Sequence, residues 1–202
     1  KSLASGRRGV NIFLHGVPGA GKSQLAKVLA QAVNCELFEV FSEDEDGDPI
    51  SGDQRLNALR TAQSFLAQRQ SILLFDEVED VFDDGMEIFG KKSTAQTHKG
   101  WFNRMLEDNE VPVLWLSNSA SSLDPAFVRR FDLMFELPVP PRSQRERIIR
   151  AHCAGLLSEA AIDRIAQAET LAPALVTCAA SVVQSIKSEL GKHAAEAAFE
   201  MI

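Results

Sequence analysis

No stretch of this sequence approaches the roughly 20 consecutive apolar residues of a membrane-spanning helix, and no secretory signal opens it. A membrane is therefore not expected as a partner. Cysteine is scarce. Cys35, Cys153 and Cys178 are far apart and odd in number, and they fit neither a zinc-site spacing nor a disulfide framework. That usage points to a reducing, cytoplasmic setting, and each thiol reads most simply as a small buried hydrophobe. Positive charge is in deficit: 21 Lys and Arg stand against 28 Asp and Glu, for a formal charge of −7. Nor is there a basic stripe with interleaved aromatics, so nucleic acid is not expected as a partner. There is no internal repeat. The chain opens on Lys1 rather than Met, which predicts a piece of a longer protein.

What is present is ordinary for a soluble globular chain, with 45% apolar and 24% charged residues over 202 positions. That length suits one α/β domain with a smaller appendage. Five short apolar runs read as strands: Val10–His15, Leu37–Phe41, Ser71–Phe75, Val111–Leu116 and Leu133–Leu137. Stretches with helical spacing lie between most of them, such as Ser23–Val33 and Gln54–Gln68. Near-continuous apolar strands alternating with helices imply a parallel sheet covered on both faces. The pattern stops at Pro138-Val139-Pro140-Pro141, where three prolines in four residues end any regular element. Beyond them helices are predicted over Ser143–Leu157, Ser158–Gln167, Pro173–Leu190 and Lys192–Met201, with Gly191 as punctuation. The predicted domains are residues 1–141, α/β, and 142–202, all helical. Trp101, Phe102, Met105 and Leu106 have near-helical spacing within Lys99–Glu107 and read as a buried face.

Two motifs carry chemistry. Gly16-Val17-Pro18-Gly19-Ala20-Gly21-Lys22-Ser23 follows a strand, precedes a helix and satisfies G-x-x-x-x-G-K-[ST]. Its glycines let successive backbone N–H groups turn inward around an anion, and the helix behind adds its positive end. Lys22 supplies a mobile charge for the β- and γ-phosphates, and the Ser23 hydroxyl ligates magnesium. Gly16, Pro18, Gly19, Ala20, Gly21, Lys22, Ser23 and Gln24 are the candidate contacts for ATP or ADP. The second motif is the apolar strand Ser71–Phe75 ending in Asp76-Glu77. Ligands gather at the carboxyl ends of parallel strands. Asp76 is thus suited to the magnesium shell, and Glu77 to orienting and deprotonating a water. A kinase acting on a metabolite would not need the second carboxylate there, so the pair favours hydrolysis. The acidic stretch Glu43–Asp48 reads as a solvated loop.

With Leu116-Ser117-Asn118-Ser119 and Leu123-Asp124-Pro125-Ala126-Phe127-Val128-Arg129-Arg130-Phe131-Asp132, these motifs form an ordered series over nearly the whole chain. In that series the chain resembles the AAA+ ATPases, and more narrowly their AAA branch. The resemblance implies a P-loop NTPase sheet of order 5-1-4-3-2, an α-helical lid from about Arg142, and assembly into a ring, commonly a hexamer. It implies that Asn118 is the sensor-1 residue that positions the water. It also implies that Arg129 and Arg130 are the paired arginines reaching a neighbour's ATP, with the finger itself left open between them. Many members space these arginines with Pro-Gly, whereas here they are adjacent. The stretch Asp48-Pro49-Ile50-Ser51-Gly52 has no pore aromatic, and Phe89-Gly90 reads as a surface loop or a second pore element. Leu171–Leu175 contains no sensor-2 arginine. The function expected is ATP hydrolysis coupled to remodelling an unknown protein substrate. The alternative is a nucleotide-gated assembly module of the clamp- or helicase-loader kind.

Overall fold

The computed structural model describes residues 8–82, 98–121, 123–153 and 155–186. By its internal contacts the chain falls into two units: Lys1–His15 with Lys22–Glu136, and Gly16–Gly21 with Leu137–Ile202.

The first unit holds five parallel strands, β1 (Asn11–His15), β2 (Glu36–Glu39), β3 (Ser71–Phe75), β4 (Val113–Ser117) and β5 (Leu133–Glu136). Their order is β2-β3-β4-β1-β5, which from the other edge is the 5-1-4-3-2 that the resemblance implies. Every residue of β3 and β4 is buried, as uninterrupted apolar strands must be when both faces are covered. Side chains alternate across the pleat, so the two faces differ in kind. Leu14, Ile72, Leu74, Leu114 and Leu116 meet Ala26 and Ala30 of α1 (Lys22–Ala32), an aliphatic layer. Phe13, Phe75 and Trp115 point the other way. They meet α2 (Gly52–Leu66), α3 (Glu79–Phe82), α4 (Lys99–Asp108) and α5 (Pro125–Val128). Trp115 stacks on Phe75 at 5.1 Å and meets Phe102 edge-on at 5.9 Å, pairs worth about 0.5–1.5 kcal/mol each beyond burial. The expected buried face of Lys99–Glu107 is there: Phe102 and Leu106 are buried, and Trp101 and Met105 partly so.

At the amino ends of the strands, Asn11 is buried and its amide is fully used. Nδ2 donates to Leu106 O at 2.7 Å and Gly9 O at 3.2 Å, and Oδ1 accepts from Trp115 Nε1 and Asn109 Nδ2. Gln63 of α2 clips Val111 in the same way, accepting its N–H and donating to its carbonyl.

The second unit contains α6 (Arg142–His152), α7 (Glu159–Gln167) and α8 (Pro173–Ile186), with no strand among its described residues. Ile149, Cys153, Ile162, Val176 and Val183 form its core. Its one buried cation among the described residues, Arg145, donates to Ala166 O at 3.0 Å and Pro140 O at 2.7 Å. Two expectations are corrected. The first helix stops at His152 rather than Leu157, because Cys153 leaves the helical region and Gly155 takes φ +74°. Cys178 is exposed, since it falls off the stripe made by Val176, Ala179 and Ala180. Cys153 is buried as expected, and that burial pushes its thiol pKa up to about 11. Cys35 is half-buried. The stretch 187–190, Gly191 and the predicted helix Lys192–Met201 lie outside the described residues. No described helix is long and apolar enough to cross a membrane.

Candidate nucleotide and hydrolysis site

The loop Gly16–Gly21 belongs to the second unit, and its glycines are dictated by backbone approach. At Gly16, φ +150°, a Cβ would lie 2.2 Å from Leu137 O. At Gly19, φ +76°, it would lie 2.9 Å from the Ala174 Cβ. Ala174 N–H donates to Gly19 O at 3.2 Å, so the start of α8 meets the loop through alanines. The turn closes on itself where Ala20 N–H donates to Val17 O across Pro18.

Lys22 and Ser23 open α1 in the first unit. Lys22 is only 8% exposed, and its Nζ donates to Asn118 Oδ1 at 3.0 Å. Burial lowers its pKa from the ordinary lysine range, against the opposing pull of the Asp76 and Glu79 charges. Ser23 Oγ donates to Asp76 Oδ2 at 3.0 Å, while Asp76 Oδ1 accepts from the Glu77 N–H at 2.8 Å. Residues 22, 23, 76 and 118 thus converge from α1 and the carboxyl ends of β3 and β4, as a parallel sheet with β1, β4 and β3 adjacent requires. Gln24 is exposed on α1 and joins no hydrogen bond of this group. Glu77 follows β3 in a left-handed conformation, φ 51°, and is exposed. Its carboxylate accepts no hydrogen bond among the described residues.

The two adjacent arginines are not equivalent. Arg130 Nε donates to Glu107 Oε1 at 2.8 Å, and its Nη1 donates to Ala126 O at 2.5 Å. Arg129 caps the carboxyl end of α5, is exposed, and makes no side-chain hydrogen bond or ion pair among the described residues.

Two further residues bear on the site without having been singled out in the sequence. Glu79 Oε1 accepts from the Asn118 backbone N–H and from the Ser117 hydroxyl, and so fixes the carboxyl end of β4. Arg55 of α2 is buried, and it donates to the carbonyls of Asp76 and Glu77. A sign of Arg55 was available: it stands on the same helical stripe as Leu56, Leu59, Gln63 and Leu66, where a lone cation demands a partner. Nothing in the sequence near Glu79 distinguishes it from its acidic neighbours. Ser51 forms a capping box with Gln54 at the start of α2, and Phe89-Gly90 lies outside the described residues.

The donor set suits a hard cation. One hydroxyl and one carboxylate oxygen stand 3.0 Å apart at Ser23 and Asp76. Among the described residues no group of three His, Cys, Asp or Glu could cage a metal by itself. Magnesium prefers this kind of site, with few protein oxygens and the remainder from water and phosphate.

Similarity to known proteins agrees with this geometry. The chain is 28% identical over 193 residues to a 26S proteasome regulatory subunit 8 homolog of Encephalitozoon cuniculi, covering 91% of this chain and 47% of that protein. It is 29% identical over 144 residues to a mitochondrial sorting homolog of Caenorhabditis elegans, covering 68% and 41%. The chain thus spans about half or less of the length of these relatives. In structure it resembles the FIGL-1 AAA domain, crystallised in complex with ADP, with a TM-score of 0.65 at 16% identity over 95% of this chain and 70% of the other. Residues 12–139 match the family model named ATPase family associated with various cellular activities, or AAA, and the chain belongs to that family.

Proposed function

We propose that this chain binds ATP with magnesium and hydrolyses it, and that hydrolysis drives the remodelling of a protein partner by a ring of such chains, commonly a hexamer. The observation that carries the reading is the convergence of Lys22 on Asn118 and of Ser23 on Asp76, each at 3.0 Å. In this reading residues 1–141 are the ATPase domain and 142–202 its lid.

Gly16, Gly19, Ala20 and Gly21 turn backbone N–H groups toward the phosphates, with Pro18 stiffening the turn and Gln24 in the first turn of α1 beside them. Lys22 pairs with the β- and γ-phosphates, and its bond to Asn118 fixes both side chains before nucleotide arrives. Ser23 and Asp76 hold magnesium, which when bound neutralises charge that develops on the phosphate oxygens. Glu77, exposed and without a carboxylate partner among the described residues, accepts a proton from the attacking water, and Asn118 orients that water. Arg129 is the better candidate for the cation delivered to a neighbour's γ-phosphate, because Arg130 is already engaged by Glu107 and Ala126.

The test is ATP turnover by Lys22→Ala beside wild type. Loss of both turnover and ATP affinity supports the assignment, and undiminished hydrolysis would overturn it.

A further inference from the structure

We propose that Arg55 is a positioning residue for hydrolysis, which sets the direction of the Glu77 carboxylate by clamping the backbone on both sides of it. The inference rests on the ATPase reading above and adds a component to its chemistry.

The backbone itself demands a clamp. Glu77 has φ 51°, a left-handed conformation that crowds a residue with a Cβ against its own backbone. Such a residue persists only where its surroundings over-determine it. β3 has ended at Phe75, so the carbonyls of Asp76 and Glu77 have left the sheet ladder. Both turn to the same side chain. Arg55 Nη2 donates to Asp76 O, and Nη1 donates to Glu77 O at 3.0 Å and to Asp80 Oδ2 at 2.9 Å. One planar guanidinium thus holds the two peptide units that flank the left-handed residue.

The clamp is rigid because it is buried and neutralised. Arg55 is 2% exposed, its guanidinium stands 4.3 Å over the Phe75 ring, and the Asp80 carboxylate balances its charge. A buried cation so held has little rotational freedom. The direction of the Glu77 Cα–Cβ bond follows from the backbone angles that these hydrogen bonds fix. Arg55 holds Asp76 and Glu77 by their main-chain carbonyls alone: none of its hydrogen bonds goes to the Asp76 carboxylate, or to Lys22, Ser23 or Asn118. It therefore acts on the water-activating carboxylate and not on nucleotide binding. Only an arginine supplies a flat fork able to serve two carbonyls and a carboxylate together; lysine retains the charge and loses the fork.

The experiment compares wild type, Arg55→Lys, Asp80→Asn, Glu77→Gln and the double variant Arg55→Lys/Glu77→Gln, by ATP turnover and by equilibrium binding of a fluorescent ATP analogue. Arg55→Lys is expected to lower kcat roughly 10²-fold, the scale of a misplaced catalytic group, with analogue Kd and KM within about twofold of wild type. Asp80→Asn removes the charge that anchors the guanidinium while leaving both carbonyl acceptors in place, and is expected to lower kcat about three- to tenfold. In the Glu77→Gln background, Arg55→Lys should change residual turnover by less than about twofold, because nothing remains to be aimed. Undiminished kcat in Arg55→Lys would overturn the proposal. So would equal losses in kcat and analogue affinity, or a full multiplicative loss on top of Glu77→Gln, since both mark a merely structural role. If Arg55→Lys does not fold, Asp80→Asn decides the question by the same split: lowered kcat with unchanged Kd supports the clamp, and unchanged kcat overturns it. A wild-type chain without turnover would instead refute the ATPase reading, and this inference with it.

Discussion

The two ends of the same sheet use polar side chains in opposite ways. At the amino ends of the strands, the Asn11 amide makes all four hydrogen bonds open to it, and Gln63 is satisfied at both of its amide atoms by Val111. At the carboxyl ends, Asn118 Oδ1 accepts from Lys22 Nζ, and the Glu77 carboxylate has no partner among the described residues. Saturated buried groups stabilise a fold, while groups left with free capacity can meet a ligand. The adjacent arginines repeat this contrast within two residues, Arg130 being engaged and Arg129 exposed with no side-chain partner among the described residues.

Substitution at the arginines should break the contrast most sharply. Arg129→Ala is expected to reduce ATP turnover by about 10³-fold or more, the scale of a trans-acting arginine, and Arg130→Ala by less than about tenfold. Steady-state hydrolysis at a protein concentration that saturates specific activity checks this, and the reverse order would assign the finger to Arg130. At the sheet ends the contrast lies between activity and stability. Asn118→Ala is expected to lower kcat about 10²-fold while changing unfolding free energy by less than about 1 kcal/mol. Asn11→Ala leaves the Trp115 indole N–H and the Leu106 carbonyl buried without partners. It should cost about 2–3 kcal/mol in urea denaturation, and the folded fraction should bind nucleotide as wild type does.

The parts of the site that are local in sequence were legible in it. Gly16–Ser23 is one turn whose residue types follow from a phosphate's needs, and Ser71–Glu77 shows both a strand and its terminal carboxylates in one run. β3 and β4 were readable because a two-sided core leaves uninterrupted apolar segments, whereas β2 and β5, with no fully buried residue, end short of the readings Leu37–Phe41 and Leu133–Leu137; the Pro138–Pro141 break showed where the strands end. Parts made by distant pairing were not legible. Arg55 shows in the sequence only as a cation on the apolar stripe of α2, and its partners, the carbonyls of Asp76 and Glu77, come from beyond β3. Glu79 resembles its acidic neighbours until Asn118, 39 residues on, donates to it. The helices at Glu79–Phe82 and Pro125–Val128 run only four residues, too short to show a period. The first helix of the second unit was drawn too long because periodicity persists past Cys153, while the backbone turns at Gly155.

The central claim is that a chain with an exposed Glu77 and an exposed Arg129 hydrolyses ATP only beside another copy. The most direct measurement is ATP turnover per chain over a wide range of protein concentration, with Glu77→Gln as the blank. The account predicts specific activity that rises steeply with concentration and disappears in Glu77→Gln. Binding of ATP with flat turnover no higher than the blank would contradict it and leave a nucleotide-gated binding module in its place.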